Sequence, residues 1–321
     1  MNWVSEARAS TILYNYLKRL EPGYEFLIPA NVCPIVPAVF HKAGVHFRLV
    51  DICKDTYFIN ESIVTEILDR EPTKKGLLYV RTFGHTTQNK TWFDRLKIKY
   101  NDIKIIDDRC LCKPSMDNDI ITDSVDMVLF STGYAKYVEF GSGGYAVLSD
   151  EVFDNYKPTR DKYDINDHKF LIEKFNNSIL SRSPFIYKES YWLDMSERDE
   201  AWHEYKSRIE IQMPKSQSQK ETINNIYSSE IPRGIWLGEN FNDWRFNILV
   251  DNKEKLLKEI FDTGLFASSH YASLSGIFSV ESAPEADNLH SKIVNLFNDF
   301  RINPHQALHI SEIVKRHINS L

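Results

Sequence analysis

The segment Phe130-Ser-Thr-Gly-Tyr-Ala-Lys136, followed by the turn Gly141-Ser-Gly-Gly144, decides the fold of this chain. It lies between two apolar runs, 126–131 and 144–149, that predict buried strands. The lysine comes five residues after the strand-end serine, and the glycines let the backbone approach another group closely before the next strand begins. The pattern therefore predicts a strand, a loop with one lysine, and a second strand.

Four further strand-like runs precede this segment and alternate with helical patterns. They are Glu25–Pro29, His46–Asp51, Gly76–Arg81 and Ile103–Asp108. Strands separated by helices form βαβ units, in which a mainly parallel sheet is covered by helices on both faces. We therefore predict a three-layer α/β fold whose functional residues gather at the strand ends.

The pattern changes after Asp150. Residues 151–229 are polar and helical in character, and a smaller α+β pattern begins near Ile231 with a strand at 244–250. A terminal helix is expected from about Ser311. The sequence thus predicts a large α/β domain of residues 1–229 and a small C-terminal α+β domain of residues 230–321.

Composition excludes several classes of protein. Lys and Arg number 39 and Asp and Glu 45 among 321 residues, a net charge of −6 that argues against nucleic-acid binding. No run approaches the roughly 18–20 apolar residues of a membrane helix. Four cysteines are too few for a disulfide framework, and Cys110-Leu-Cys112 lacks a second pair to close a zinc site. We expect a cytoplasmic protein with no metal.

The order of three features points to a cofactor. Asp108 ends a strand, Lys136 follows it by 28 positions, and the glycine turn comes next. A pyridoxal phosphate site needs a lysine to form a Schiff base and move a proton, and an aspartate to keep the pyridine nitrogen protonated. Serine hydroxyls and helix N-terminal amides can bind the phosphate. Each feature alone is common in turns and on surfaces, but their order and spacing together favour pyridoxal phosphate.

The run Phe-Ser-x4-Lys-x4-Gly-x-Gly-Gly resembles the signature of the DegT/StrS-type sugar aminotransferases, which are pyridoxal phosphate enzymes of fold-type I. Other segments match that family in the same order. They are Gly23–Ala30, Val39–Asp51, Asp55–Tyr57, Phe83-Gly84, Ile106–Asp108, Gly264–Tyr271 and Val294–Leu296. The resemblance covers about residues 7–150 and 240–321 and leaves 151–229 unmatched.

The resemblance implies a role for each matching residue near the cofactor. Lys136 would be the Schiff-base lysine and proton shuttle, Asp108 would pair with the pyridine nitrogen, and Ser131 would contact the phosphate. Ala9 and Ser10 match small residues whose amides bind that phosphate.

The resemblance also implies the reaction. An amino acid donor, L-glutamate, would give its amino group to a keto sugar, nucleotide-linked, in surface polysaccharide or amino-sugar biosynthesis. His270 and Tyr271 would face the substrate. The family implies a homodimer with sites at the subunit interface.

The chain departs from the family pattern at several positions. Asn31, Val32 and Cys33 stand where the family has an aromatic residue or histidine that stacks on the cofactor, and Leu111 replaces a glutamine. The motif that reaches across the dimer to the phosphate has no clear counterpart, the nearest being Arg182-Ser-Pro184.

These departures leave two alternatives open. The protein could be a degenerate homologue that acts as a ligand-binding, regulatory or scaffolding subunit without turnover, or an enzyme with a different amino acceptor. A dehydratase branch of the family has histidine in place of the lysine, so the presence of Lys136 disfavours it.

Overall fold

The computed structural model describes residues 2–85, 89–117 and 120–320. The strands are β1 (Trp3–Glu6), β2 (Glu25–Pro29), β3 (His46–Val50), β4 (Lys75–Val80), β5 (Lys104–Asp108), β6 (Met127–Ser131), β7 (Gly144–Leu148), β8 (Phe246–Leu249), β9 (Ala267–Ser268) and β10 (Ile293–Leu296). The helices are α1 (Ala9–Leu17), α2 (Ile35–Ala43), α3 (Glu61–Arg70), α4 (Lys90–Lys99), α5 (Asp150–Asn155), α6 (Ile165–Ser181), α7 (Trp202–Glu230), α8 (Lys253–Phe261), α9 (Pro284–Lys292) and α10 (Pro304–Asn319).

The large sheet has the order β1-β7-β6-β5-β4-β2-β3. Strands β2 to β6 run parallel, and β7 lies antiparallel to both β6 and β1. Strand β4 is buried along its whole length, as expected for a parallel strand covered by helices on both faces. The predicted three-layer α/β fold with a mixed, mainly parallel sheet is confirmed. Strand β1 was not predicted, because its four residues show no apolar run.

The second sheet has the order β8-β10-β9 and is antiparallel. Its hydrophobic core is separate from that of the large sheet. Helix α7 contributes to both cores, with Tyr205 and Ile209 in the first and Ile223 and Tyr227 in the second. The division into domains at residues 229 and 230 stays a prediction.

Local signals explain most of the helix boundaries. Asn60 precedes α3, and its side chain accepts hydrogen bonds from the amides of Ser62 and Ile63 at 3.0 and 3.3 Å. The predicted start of the terminal helix near Ser311 is wrong. Helix α10 begins at Pro304, because Asn303 and Gln306 form a reciprocal capping box there.

In the part of the chain that the structure describes, no helix combines the length and apolar character needed to cross a membrane. Nor do three or more His, Cys, Asp or Glu side chains of the described residues group as metal ligands would.

Candidate active site

Lys136 lies in the loop between β6 and β7, which we call the lysine loop (residues 132–143). The loop is closed at its base, where Phe140 N–H donates to the Thr132 carbonyl at 2.7 Å and the Thr132 hydroxyl donates to the Ser142 carbonyl at 2.7 Å. The Lys136 side chain is half-buried and forms no hydrogen bond or ion pair with the described residues. The described structure therefore leaves the Lys136 amine without a polar partner.

The glycine turn is required by a close approach between two elements. A Cβ on Gly144, the first residue of β7, would lie 2.2 Å from the backbone nitrogen of Ala9 at the start of α1. Gly144 is also the register partner of Ser131 at the end of β6. The turn therefore brings Ser131 and the N-terminus of α1 together.

The N-terminus of α1 has features that suit an anion. Arg8, its N-cap residue, makes no side-chain cap hydrogen bond, and the first turn has no acidic residue. The first amides of a helix carry partial positive charge and need acceptors. Ala9 and Ser10 occupy these positions, and Ser131 accepts a hydrogen bond from Gly133 N–H at 3.2 Å.

Two adjacent acids at the end of β5 face opposite sides of the sheet, since side chains alternate along a strand. Asp107 is bound by Arg81 at 2.7 and 2.9 Å and by Arg109 at 2.9 Å. Burial would raise the pKa of Asp107, but these two arginines hold it below its ordinary value. Asp107 therefore has a structural role.

Asp108 has a different environment. It is only 6% exposed, accepts a hydrogen bond from Cys110 N–H at 2.9 Å, and pairs with no cation of the described residues within ion-pair distance. Burial raises the pKa of Asp108, and the nearby Lys136 ammonium opposes that rise. A buried carboxylate without an ion-pair partner can accept a hydrogen bond from a positively charged N–H group of a ligand.

Cys33, beyond the end of β2, belongs to the same group of side chains. Burial raises the pKa of the Cys33 thiol, and the Lys136 ammonium again acts in the opposite direction. Asp108, Ser131 and Cys33 together form what we call the large-sheet wall of the cleft. Leu111, where the family has a glutamine, is buried in the core.

The opposite side, which we call the small-sheet wall, consists of Trp244, Arg245, His270 and Tyr271. The ring of Tyr271 stacks on Trp244 with centroids 6.2 Å apart and planes at 8°. Burial raises the pKa of Tyr271, and the surrounding charges include Arg245 and Asp108. The structure thus places Tyr271 next to the large-sheet wall.

His270 is more exposed than Tyr271. Its backbone N–H donates to Asn295 Oδ1 at 2.7 Å, and its ring centroid lies 6.2 Å from that of Trp244. The residue therefore lies at the exposed rim of the small-sheet wall, where partial burial of the ring and the charges of Arg245 and Lys136 lower the pKa of His270 to about 3.

Trp244 and Arg245 were not singled out from the sequence. Arg245 is 2% exposed, and its guanidinium lies 3.7 Å from the Phe297 ring centroid and 4.3 Å from that of Trp244. It donates to Ser268 and pairs with no acid of the described residues. Burial lowers the pKa of Arg245 to about 10. In the sequence, the one signal for Arg245 was its position as a charged residue within the apolar run of a predicted strand.

Arg182, the nearest match to the cross-dimer motif, is engaged within its own chain. It donates to the carbonyls of Ser273 and Ser275 at 3.1 and 3.3 Å and pairs with Asp287 at 3.1 Å. These bonds use the donors that a neighbouring phosphate would need.

Comparison with known proteins identifies the fold. No family model and no curated protein matches the sequence. Among solved structures, Spr1654 from Streptococcus pneumoniae in its PMP form superposes with a TM-score of 0.75 at 14% identity, over 99% of this chain and 88% of that one.

Two further solved structures agree with this result. Helicobacter pylori PseC, an aminotransferase involved in the biosynthesis of pseudoaminic acid, gives a TM-score of 0.71 at 14% identity, over 99% of this chain and 87% of its own. A DegT DnrJ EryC1 StrS aminotransferase from Brucella abortus gives 0.68 at 14% identity, over 98% and 85%. The predicted fold is thereby confirmed: this chain has the fold of the DegT/StrS-type aminotransferases of fold-type I.

Proposed function

We propose that the protein is a pyridoxal phosphate-dependent aminotransferase that moves an amino group from an amino acid to a keto sugar. One observation carries the proposal. Asp108 ends β5 and Lys136 follows the end of its parallel neighbour β6, the charge of Lys136 acts on the pKa of Asp108, and neither side chain forms an ion pair with the described residues. A free amine next to a buried, unpaired carboxylate is what this cofactor requires of a protein.

The residues of the large-sheet wall fit the cofactor. Asp108 would accept the pyridine N–H, and Lys136 would hold the cofactor covalently. Ser131 and the amides of Ala9 and Ser10, which meet at Gly144, would bind the phosphate. Pyridoxal phosphate, when bound, supplies an electron-accepting ring that stabilises negative charge on the carbon bearing the amino group.

The chain's own groups would supply the proton transfers. Once the incoming amino group has displaced it from the cofactor, the Lys136 amine would take the proton from the α-carbon of the donor and return it to the carbon on the other side of the amino nitrogen, acting as general base and then as general acid. Asp108 would keep its partner nitrogen protonated throughout. Tyr271 and Trp244 would close the opposite side of the cleft and exclude water from these transfers.

The likeness in fold supports the substrates that we propose. PseC acts in the biosynthesis of pseudoaminic acid, which supports a keto sugar as acceptor. We propose L-glutamate as donor, a nucleotide-linked acceptor, a role in surface polysaccharide or amino-sugar biosynthesis, and a cytoplasmic homodimer. His270 and Tyr271 are proposed to face the substrate.

A second candidate is a subunit that binds a ligand without turnover. The engagement of Arg182 within its own chain favours it, as does the thiol of Cys33 in place of a stacking ring. This candidate predicts cofactor binding without a reaction with any donor.

The experiment that tests the proposal is an absorbance spectrum of the purified protein with pyridoxal phosphate, before and after excess L-glutamate. We expect a visible band that glutamate bleaches, that Lys136→Ala abolishes, and that a Lys215→Ala control retains. Lys215 lines the same cavity as Lys136, so the control tests whether another nearby amine could give the band.

The outcomes separate the two candidates. A Lys136-dependent band that no amino donor bleaches supports the non-catalytic subunit. The absence of any Lys136-dependent band rejects the enzyme and the cofactor together.

A further inference from the structure

The residue before Lys136 is held at both of its backbone polar groups by side chains. Ala135 N–H donates to Glu139 Oε2 at 2.9 Å, and the Ala135 carbonyl accepts from Trp244 Nε1 at 2.7 Å. Ala135 has φ of +54°, a conformation that non-glycine residues adopt where their surroundings impose it. The side chains of Glu139 and Trp244 therefore fix the path of the backbone into Lys136.

Glu139 is itself fixed by an ion pair. Arg301 Nη2 lies 2.6 and 2.7 Å from the two carboxylate oxygens of Glu139, and Arg301 Nη1 lies 2.8 Å from Asp299. The side chains of Arg301 and Glu139 are only 11% and 14% exposed. Because Arg301 follows strand β10, this pair ties the lysine loop to the small sheet.

Trp244 is fixed as firmly. Its ring stacks between Phe83, at 6.3 Å and 17°, and Tyr271. Its carbonyl accepts a hydrogen bond from Lys220 at 2.7 Å. The indole N–H therefore has little freedom to leave the Ala135 carbonyl.

We propose that Glu139, Arg301 and Trp244 are positioning residues that orient Lys136 towards the cofactor. None of them contacts the reacting atoms; they act on Lys136 through Ala135. Loss of either bond would allow Ala135 to leave the left-handed region, and the amine would move with it. A displacement of about 1 Å can cost on the order of 10²-fold in rate. This inference rests on the proposed function.

The test measures covalent attachment of pyridoxal phosphate to Lys136, trapped with borohydride and located by peptide mass spectrometry. We expect Trp244→Phe, which keeps the ring but removes the donor, and Glu139→Gln, which breaks the pair with Arg301, each to slow attachment about tenfold. Arg301→Lys should also slow it. Trp244→Phe and Glu139→Gln both act on the backbone of Ala135. In the double variant, the attachment rate should therefore fall by less than the product of the two single fold-changes.

A matched control uses another arginine paired with two residues. Arg48, in the edge strand β3, lies 3.0 Å from Glu25 and 3.0 Å from Glu71, several strands away from the lysine loop. Arg48→Lys should attach the cofactor at the rate of the unaltered protein.

A second readout separates positioning from general damage. Pyridoxine phosphate has an alcohol in place of the aldehyde, so it binds without a covalent bond to lysine. We expect its Kd, measured by fluorescence quenching, to stay within about twofold in Glu139→Gln, Arg301→Lys and Arg48→Lys, whose side chains belong to neither wall. The inference is wrong if the variants attach pyridoxal phosphate at the rate of the unaltered protein. It is also wrong if the variants tested with pyridoxine phosphate lose affinity for it by the same factor as they lose attachment rate. If the unaltered protein attaches no cofactor, the proposed function itself fails.

Discussion

The two walls of the cleft differ in the charges they keep unpaired. The large-sheet wall presents Asp108, a buried acid that pairs with no cation of the described residues. The small-sheet wall presents Arg245, a buried cation that pairs with no acid of the same residues, and Lys220 lies behind it. Unpaired buried charges destabilise a fold, so Asp108 and Arg245 each carry a desolvation cost that no ion pair with the described residues offsets.

The largest expected effect tests whether Asp108 differs in kind from its neighbour. Asp107→Asn should lower the free energy of unfolding by about 3–5 kcal/mol, because it leaves the buried Arg81 without its carboxylate partner. Asp108→Asn should instead raise stability, since it removes a buried charge that has no ion-pair partner in the described structure. Urea unfolding of both variants at pH 7 measures the difference. Equal losses would show that the two acids are equivalent.

Asp107 and Asp108 make the free energy of unfolding depend on pH with opposite signs. The pKa of Asp108 is raised above its ordinary 3.8 in the folded protein. Asp108 therefore begins to destabilise the fold as pH rises past 3.8, and this destabilisation reaches its full size above the raised pKa. The pKa of Asp107 is lowered, so its stabilisation is full above 3.8 and is lost as pH falls through the lower value. The gain from Asp108→Asn should therefore vanish below pH 3.8, which unfolding at about pH 3 can check.

A smaller effect on the free energy of unfolding is expected from Lys220, which donates a hydrogen bond to the Trp244 carbonyl. Burial lowers the pKa of Lys220 from 10.5 to about 8, so the unfolded chain binds more protons between these values. Stability due to this group should therefore rise with pH across that window, by about 2 kcal/mol between pH 7.5 and 9.5. Lys220→Met should abolish this rise. A variant with the same alkaline slope as the unaltered protein would contradict the assignment.

The smallest effect is expected at the rim. His270→Ala should change the free energy of unfolding by no more than about 0.5 kcal/mol, because the side chain is exposed and its bond to Asn295 is made by the backbone. The cofactor band should be unchanged, and bleaching by glutamate should slow less than about tenfold. A loss of the band would place His270 on the cofactor instead.

The large-sheet wall was the predictable one. Asp108 and Ser131 end strands whose apolar runs are evident in the sequence, and parallel strands bring their carboxyl ends to one edge. The glycine turn was also evident, although its closest neighbour, Ala9 at the start of α1, could be found only in the structure.

Of the small-sheet wall, the sequence indicated only His270 and Tyr271, through the family resemblance, and the contacts that connect this wall to the lysine loop could not be predicted. The bond from Trp244 to Ala135 spans 109 residues, and the pair of Arg301 and Glu139 spans 162. Neither follows from a local period or a turn signal. Such contacts depend on how the second sheet packs against the first, which no short window of sequence encodes.

The antiparallel pairing of β1 with β7 sets the order in which the sheet can form. Trp3 pairs with Val147 and Glu6 with Gly144, so β1 has no strand partner among the described residues until about residue 148 has been synthesised. Long-range pairings of this kind form slowly and late. Because the lysine loop joins β6 to β7, the sheet edge beside it is completed only when β1 pairs with β7.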